Sequence, residues 1–458
     1  MFSDVKNVLF MSQNKTFSNK LTRLALPIML EQFLMSSLFI FDTVFVGGLG
    51  DEYIGAVGQA GNIQMLLWCG FNALFSAGAI FVAQYWGKDK DQTGIRKTYT
   101  VSVMFTMLLA IIFFVVSFFF GDAAMSVLST NDQVREIGAE YLSIVCMAYP
   151  IWAISSVLAS MLRAMGIVKL PMIASISGAV LNILSDSVFV TGNFGFPKLG
   201  VPAAAVSTVA GALVELILLL YFARRSGSPI TARRRDFVWP GKSMVQTYLK
   251  AALPLVVKDQ LWAGGVTVYS ISFAALGVAS TAAYNVYGTL MQFMNVLFLA
   301  LGGAGGILIG HELGAGEIDQ AKNYAWRLLR TVFVSSILLC PAFILLRNVM
   351  LLPFPNLTAE AISNARDSLL LAALIIWARG INFTNMNGIL RAGGDTLGAA
   401  AIDIGVLWGI GVPLTVIAGM LLQLPFSIVV LMTCIEEIIK VIISVARVRK
   451  YKWAKQLV

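Results

Sequence analysis

The sequence has 458 residues, of which 58% are apolar and only 12% are charged, and its mean hydropathy is +0.80. About a quarter of the residues of soluble globular domains are charged, so this composition excludes an ordinary soluble protein. Apolar runs of about 20 to 30 residues follow one another along the chain, and a helix of about 20 residues crosses a bilayer. We therefore predict an all-α polytopic membrane protein.

The apolar runs predict twelve transmembrane helices. They lie near residues 21–49, 54–84, 98–120, 138–162, 170–195, 200–223, 251–275, 279–310, 328–351, 368–390, 397–422 and 426–446. The polar first twenty residues and the length of the first run predict that no signal peptide is cleaved.

The distribution of Lys and Arg predicts the orientation, because basic residues are retained on the cytoplasmic side of a membrane. With the N-terminus inside, the cytoplasmic segments contain 26 of the 33 basic residues. The outside loops contain only Arg135, Lys198, Arg347 and Arg366, and three basic residues lie inside spans. We predict that both termini are cytoplasmic and that the chain resides in the inner or plasma membrane of the cell.

The two halves of the sequence repeat each other at an offset of 227 residues. The aligned pairs are Pro27 with Pro254, Gly50 with Gly277, QYWG at 84–87 with HELG at 311–314 and, one residue further in offset, LRAMG at 162–166 with LRAGG at 390–394. Since each half has an even number of spans, both halves enter the membrane from the same side. We predict an N-terminal six-helix lobe at 1–223, a basic cytoplasmic linker at 224–250 and a C-terminal six-helix lobe at 251–458.

Signatures of catalysis, metal binding and nucleic-acid binding are missing. GKS at 241–243 lacks the first glycine of a phosphate loop, because that position is Asp236. One histidine and four cysteines without CxxC spacing provide no zinc signature. The net charge of +9 comes mostly from the cytoplasmic segments, which face anionic lipid. We therefore predict no enzyme, no cofactor, no bound metal other than Na⁺ at a coupling site, and no nucleic-acid partner.

Four polar residues inside spans indicate an ion site in the first half. A charged side chain at the centre of a span costs roughly 2.5 to 3.5 kcal/mol on insertion scales, so it needs compensation. Asp42 lies in the first span, Asn182 and Asp186 share one face of the fifth, and Thr208 in the sixth can join them. Such hard oxygen ligands suit a proton or Na⁺. The alternative interpretation is a structural polar network.

The second half contains two further polar groups. A stripe at every third residue of the tenth span comprises Arg379, Asn382 and Asn385. With Asp403 of the next span as a partner, this stripe either lines a cavity or pairs internally. Glu436 and Lys440 are four residues apart in the last span, which predicts a local ion pair.

Several motifs follow one another along the chain: ALP and DTVFVGGLG in the first span, QYWGKD, LRAMG followed by NILSD, HELGAG and LRAGGDT. On these motifs the sequence, from about residue 20 to residue 450, resembles the multidrug and toxic compound extrusion (MATE) family of secondary transporters. Their order and their duplication are specific to the family, and the first half is most similar to its DNA-damage-inducible F-like branch.

This resemblance implies a coupling-ion site at Asp42, Asn182, Asp186 and Thr208, and a helix kink at Pro27. The NorM-like branch instead uses a Glu about two turns beyond the proline of the seventh span. This sequence has Trp262 near that position, with Lys258 and Asp259 close by. The resemblance therefore favours coupling in the N-terminal lobe.

The family implies an antiporter that exports amphiphilic organic cations through rocking of two lobes, and we expect it to act as a monomer. H⁺ is favoured as the coupling ion because burial and a neighbouring carboxylate stabilise a protonated Asp. Na⁺ stays open, because Asn182 and Thr208 supply neutral oxygens. The alternative function is a flippase for a lipid-linked precursor in the same superfamily. A major facilitator is disfavoured because the loop at 87–94 lacks its basic signature, and a scaffold because of the buried acidic cluster.

Overall fold

The computed structural model describes residues 2–47, 50–192, 195–354 and 357–458, and for 2–15, 38–44, 46–47 and 51 it describes the backbone alone. The α-helices are Phe2–Gly47 (α1), Asp51–Gly87 (α2), Gln92–Phe119 (α3), Gly121–Leu128 (α4), Asp132–Val145 (α5), Ala148–Ala164 (α6), Lys169–Ser185 (α7), Val201–Arg225 (α8), Gly241–Ala274 (α9), Val278–Gly314 (α10), Ile318–Met350 (α11), Ala359–Thr384 (α12), Leu390–Ala392 (α13), Thr396–Val406 (α14), Val412–Val416 (α15) and Phe426–Arg449 (α16).

These helices follow the twelve predicted spans, so the predicted fold class is confirmed. The fourth span is the pair α5 and α6, which are bent by 52° relative to each other. The tenth and eleventh spans are α12 with α13 and α14 with α15, each interrupted by π-helical turns. Among the described residues, eight helices are long and apolar enough to cross a bilayer, and the bent pair would make a ninth. The helices at the other predicted spans are α1, α9 and α16.

The chain divides into two compact units. The N-terminal unit comprises residues 30–256, and the C-terminal unit comprises 257–458 together with 1–29. The boundaries differ from the predicted lobe limits, because they fall inside α1 and α9. In both helices the boundary comes two residues after a proline, Pro27 in α1 and Pro254 in α9. Proline removes one backbone hydrogen bond from a helix. In both helices the chain therefore passes from one unit to the other close to a weakened turn.

Two glycines position the polar residues of the N-terminal unit. A Cβ on Gly178 of α7 would lie 2.5 Å from the carbonyl oxygen of Gly211 of α8, and a Cβ on Gly211 would lie 2.7 Å from that of Gly178. Because both residues are glycine, the two backbones can come into contact, as they do at small residues in membrane helix pairs. The crossing brings the polar side chains on either side of it within hydrogen-bonding range.

The loop between α8 and α9 is attached to the N-terminal unit by a buried carboxylate. Asp236 accepts hydrogen bonds from the Thr231 backbone and hydroxyl at 2.8 and 2.7 Å and from the Arg233 backbone at 3.1 Å. Arg96 of α3 lies 3.5 Å away. Burial raises the pKa of Asp236, but the hydrogen bonds and Arg96 together lower it by more. The pKa therefore lies below its ordinary value.

The C-terminal segment covers the turn between α13 and α14. Trp453 is fully buried, and its indole N–H donates to the Val448 carbonyl at 3.0 Å. A Cβ on Gly393 would lie 1.7 Å from the Trp453 carbonyl oxygen, so only glycine fits there. Arg447 donates two hydrogen bonds, of 2.6 and 2.7 Å, to Asp395. This end of the C-terminal unit is therefore closed by the chain's own last residues.

Candidate ion and substrate sites

Asn182 and Thr208 meet across α7 and α8. The Asn182 amide donates to the Thr208 hydroxyl at 3.4 Å, and that hydroxyl donates to the Ala204 carbonyl at 2.9 Å. The contact lies one turn from the glycine crossing, because Asn182 follows Gly178 by four residues. The structure thus brings together two of the four residues predicted to bind the coupling ion.

Asp186 lies one turn beyond Asn182 and is 2% exposed. It begins a π-helical turn, Asp186–Val190, which extends α7. Single π-helical turns are frequent at functional sites because they redirect the side chains that follow. Asp42 lies in the helical backbone of α1, but its side chain lies outside the described residues.

A second polar group of the N-terminal unit lies toward the ends of the spans that are predicted to be cytoplasmic. Arg163 of α6 donates to the two carboxylate oxygens of Glu31 at 2.8 and 3.2 Å. Ser175 of α7 donates to Glu215 of α8 at 2.6 Å. The carboxylates of Glu31 and Glu215 both interact electrostatically with Arg163. Sequence analysis missed Glu215, although a carboxylate inside the sixth span was a detectable signal.

The C-terminal unit contains a larger set of charges, four of them buried and Asp403 partly buried, which we term the charge network. It consists of Lys258, Asp259, Asp403, Glu436 and Lys440. Lys440 bonds to Asp403 at 2.8 Å and to Glu436 at 2.6 Å, which confirms the predicted local pair. Lys258 lies 3.0 Å from Asp259 and 3.5 Å from Asp403. Each ammonium group therefore bridges two carboxylates.

A tyrosine extends the charge network. The hydroxyl of Tyr269 in α9 donates a hydrogen bond to Glu436. At the offset of 227, Tyr269 occupies the position of Asp42 in the first half. A neutral donor thus replaces a carboxylate, so the two halves do not carry the same polar site.

The stripe of α12 pairs internally, although Asp403 is not its partner. Arg379 donates to the Tyr287 hydroxyl at 2.9 Å and lies 3.6 Å from Glu437. Asn382 donates to Glu437 at 2.8 Å, and Asn385 donates to Ser444 at 2.9 Å. Asp403 instead joins Lys258 and Lys440. Tyr287 and Glu437 were missed by sequence analysis, because nothing in the sequence places them beside α12.

Within the described residues, no group of three or more His, Cys, Asp or Glu side chains stands close enough to hold a metal ion. The four cysteines are free thiols. In the charge network, ammonium groups already occupy the positions between the carboxylates. The chemistry available there is ion pairing and hydrogen bonding.

Comparison with known proteins identifies the family. A family model described as MatE matches twice, over residues 27–188 and 254–417. Both matches begin at the proline of the repeat, so they start 227 residues apart. Together they cover more than half of the chain.

Relatives of known sequence match over most of their length. "Probable multidrug resistance protein YoeA" of Bacillus subtilis is 24% identical over 392 residues, which is 84% of each chain. "Probable multidrug resistance protein NorM" of Bacillus cereus is 25% identical over 419 residues, covering 88% of this chain and 89% of the relative. "Multidrug resistance protein MdtK" of Pectobacterium atrosepticum is 24% identical, covering 92% of this chain and 90% of the relative.

Solved structures share the fold. One, titled as the outward-facing conformation of a multidrug resistance MATE family transporter, has a TM-score of 0.86 at 17% identity and covers 94% of this chain and 96% of that chain. Another, a MOP superfamily transporter from Pyrococcus furiosus, has a TM-score of 0.85 at 17% identity with the same coverage. The twofold family match and the helical architecture agree, and the chain belongs to the MatE family and is a multi-pass secondary transporter rather than an enzyme.

Proposed function

We propose that this transporter exports amphiphilic organic cations in exchange for a cation that binds at Asp42, Asn182, Asp186 and Thr208. The relatives named as multidrug resistance proteins support this substrate class. The observation that carries the proposal is the burial of Asp186 one turn from Asn182, which hydrogen-bonds to Thr208. A buried carboxylate beside neutral oxygen and amide groups is suited to take up a cation and to release it.

The coupling ion that we propose is H⁺. Burial disfavours a charged carboxylate, and a second carboxylate nearby disfavours it further, so Asp186 and Asp42 would share one proton. Uptake of that proton would remove one of the two negative charges of the site without needing further ligands. Na⁺ would need several oxygens around it, and the Thr208 hydroxyl already accepts from Asn182 and donates to the Ala204 carbonyl.

Antiport needs two states that bind the proton differently. Pro27 lies inside α1, fifteen residues before Asp42 on the same helix. A proline inside a helix removes a backbone hydrogen bond and lets the helix bend. Protonation of the site would allow α1 to bend at Pro27, and deprotonation would restore the first state. The substrate would leave as the proton enters.

Dye transport by the purified protein in proteoliposomes tests the coupling ion. An imposed pH gradient without Na⁺ should drive efflux of a fluorescent organic cation. A Na⁺ gradient at uniform pH should not. Transport only under the Na⁺ gradient would refute the H⁺ assignment while leaving the site in place. Transport independent of both gradients would refute antiport.

The alternative, a flippase for an anionic lipid-linked precursor, would call for a cavity lined by uncompensated cations. Lys258, Lys440 and Arg379 each pair with a carboxylate of the C-terminal unit. Arg163 pairs with Glu31. Arg391 is an incompletely paired guanidinium among the buried cations that the structure describes, and one such group falls short of the several cations that a multiply charged headgroup would need. The pairing of the others favours export of organic cations.

A further inference from the structure

Arg391 is a buried guanidinium whose donors are incompletely used. It lies in α13 and is 8% exposed, and its Nε and Nη2 atoms donate no hydrogen bond to the residues that the structure describes. Asp259 and Asp403 interact with it electrostatically. Both of these carboxylates are already bound by Lys258. Unsatisfied donors on a buried charge are unfavourable, so an acceptor is expected at this position.

In the first half of the duplicated chain, the arginine equivalent to Arg391 has a carboxylate partner. Arg163 is the repeat equivalent of Arg391, because LRAMG aligns with LRAGG. In the N-terminal unit the Arg163 guanidinium binds the Glu31 carboxylate at 2.8 Å. At the offset of 227 the position of Glu31 is occupied by Lys258. The second half thus replaces the carboxylate partner of the arginine with an ammonium group.

We propose that Arg391 binds an oxyanion from outside the chain: a carboxylate group or inorganic phosphate. A guanidinium binds such groups through two parallel hydrogen bonds, and the bound oxygens would take the place that Glu31 takes at Arg163. Asp403 keeps 15% of its side chain exposed, so the edge of the charge network is reached by solvent. Arg391 ends the tenth span on the side predicted to be cytoplasmic, so the anion would enter from there.

Titration calorimetry of the purified full-length protein in detergent tests this site, with benzoate and inorganic phosphate as separate probes. The wild type should bind at least one of them saturably. Arg391→Gln should weaken binding by roughly tenfold or more, because it removes the charged fork. Lys258→Glu should weaken it by a similar factor, because the new carboxylate would pair with Arg391 as Glu31 pairs with Arg163.

Lys322→Glu is the matched control. Lys322 is paired with Asp319 on α11, and its substitution changes the net charge by the same amount as Lys258→Glu. It should leave binding unchanged. If Arg391→Gln fails to fold, Arg391→Lys decides the matter, because it keeps the buried positive charge, removes the planar fork and should also weaken binding.

The outcomes separate the two sources of the anion. Binding of both probes indicates a site for any small oxyanion, whereas binding of benzoate alone indicates a carboxylate attached to an apolar body. Binding of neither probe would overturn the proposal, and so would binding that Lys258→Glu leaves intact. The inference goes beyond export of organic cations, and because the assay uses no ion gradient, its failure would not bear on the coupling ion.

Discussion

Gly178 and Gly211 cross so closely that neither position has room for a Cβ atom. The Gly178 site is bounded by backbone, with the Gly211 carbonyl oxygen at 2.5 Å from the Cβ position. Backbone cannot move aside as a flexible side chain can. The separation of α7 and α8, and with it the contact between Asn182 and Thr208, depends on these two glycines.

Gly178→Ala should therefore push α7 away from α8 and weaken the Asn182–Thr208 contact. We expect a loss of about 1–3 kcal/mol of stability, as for other overpacked sites, together with reduced transport. Thermal unfolding and dye efflux measure the two effects. The control is Gly61→Ala in α2, where a Cβ would meet nothing within 4 Å. Equal effects of the two substitutions would argue against a role for the crossing.

Asp42→Asn should leave the protein folded but abolish coupled export. Asp186→Asn should also leave it folded and reduce coupled export less severely, because Asn182 and Thr208 remain. Replacing a carboxylate by an amide removes a charge that is costly to bury, so insertion should not suffer. It also removes the group whose ionisation distinguishes the two states. Dye accumulation against a gradient is the measurement, with Asp132→Asn in an exposed ion pair as the control. If either variant accumulated dye against its gradient as well as the wild type does, that carboxylate would be structural.

Lys440→Met should destabilise the C-terminal unit by about 3–5 kcal/mol, because it leaves Asp403 and Glu436 without the ammonium group between them. Methionine retains much of the apolar stem, so packing changes little. Lys322→Met, which removes an ammonium paired with the exposed Asp319, should cost less than about 1 kcal/mol. Thermal unfolding of both variants checks this, and similar midpoints would mean that the network adds little stability.

We predict that the stability contributed by Asp236 depends on pH. Because its pKa is lower in the folded protein, the carboxylate stabilises the fold above the pKa of the unfolded chain, about 3.9, and this contribution is lost as pH falls through the folded pKa. Asp236→Asn should therefore lower the unfolding midpoint at pH 7, and the difference from wild type should shrink below about pH 4. The exposed Asp132 provides the control substitution. A difference that does not change with pH would show that charge is not the cause.

The distribution of basic residues predicts cytoplasmic termini and a cytoplasmic loop at 224–250. A reporter that is active only outside the cytoplasm should be silent when fused after Val458 and active when inserted near Asn131. The reverse result would invert the orientation, and with it the proposed direction of export and the side from which the anion reaches Arg391.

The number of spans, the duplication and the family could be predicted from the sequence, because each is written in local or repeated patterns. A run of about 20 apolar residues needs no tertiary partner to be identified as a span. The Glu436–Lys440 pair was predictable for the same reason, since residues four apart on a helix share a face. The faces of Asn182 and Asp186 on the fifth span followed from this periodicity as well.

Partners across helices were decided by the tertiary structure alone. Periodicity places Arg379 on a face of α12, but it does not say that Glu437 rather than Asp403 faces it. Likewise, the repeat aligned Arg163 with Arg391, but only the packed helices put Glu31 beside the first and left the second with two donors that bond to no described residue. The physical reason is that a helix presents several polar residues at similar heights, so more than one partner is available to each. Which of them meet depends on how closely the neighbouring backbones approach, and small residues such as Gly178 and Gly211 set that approach here.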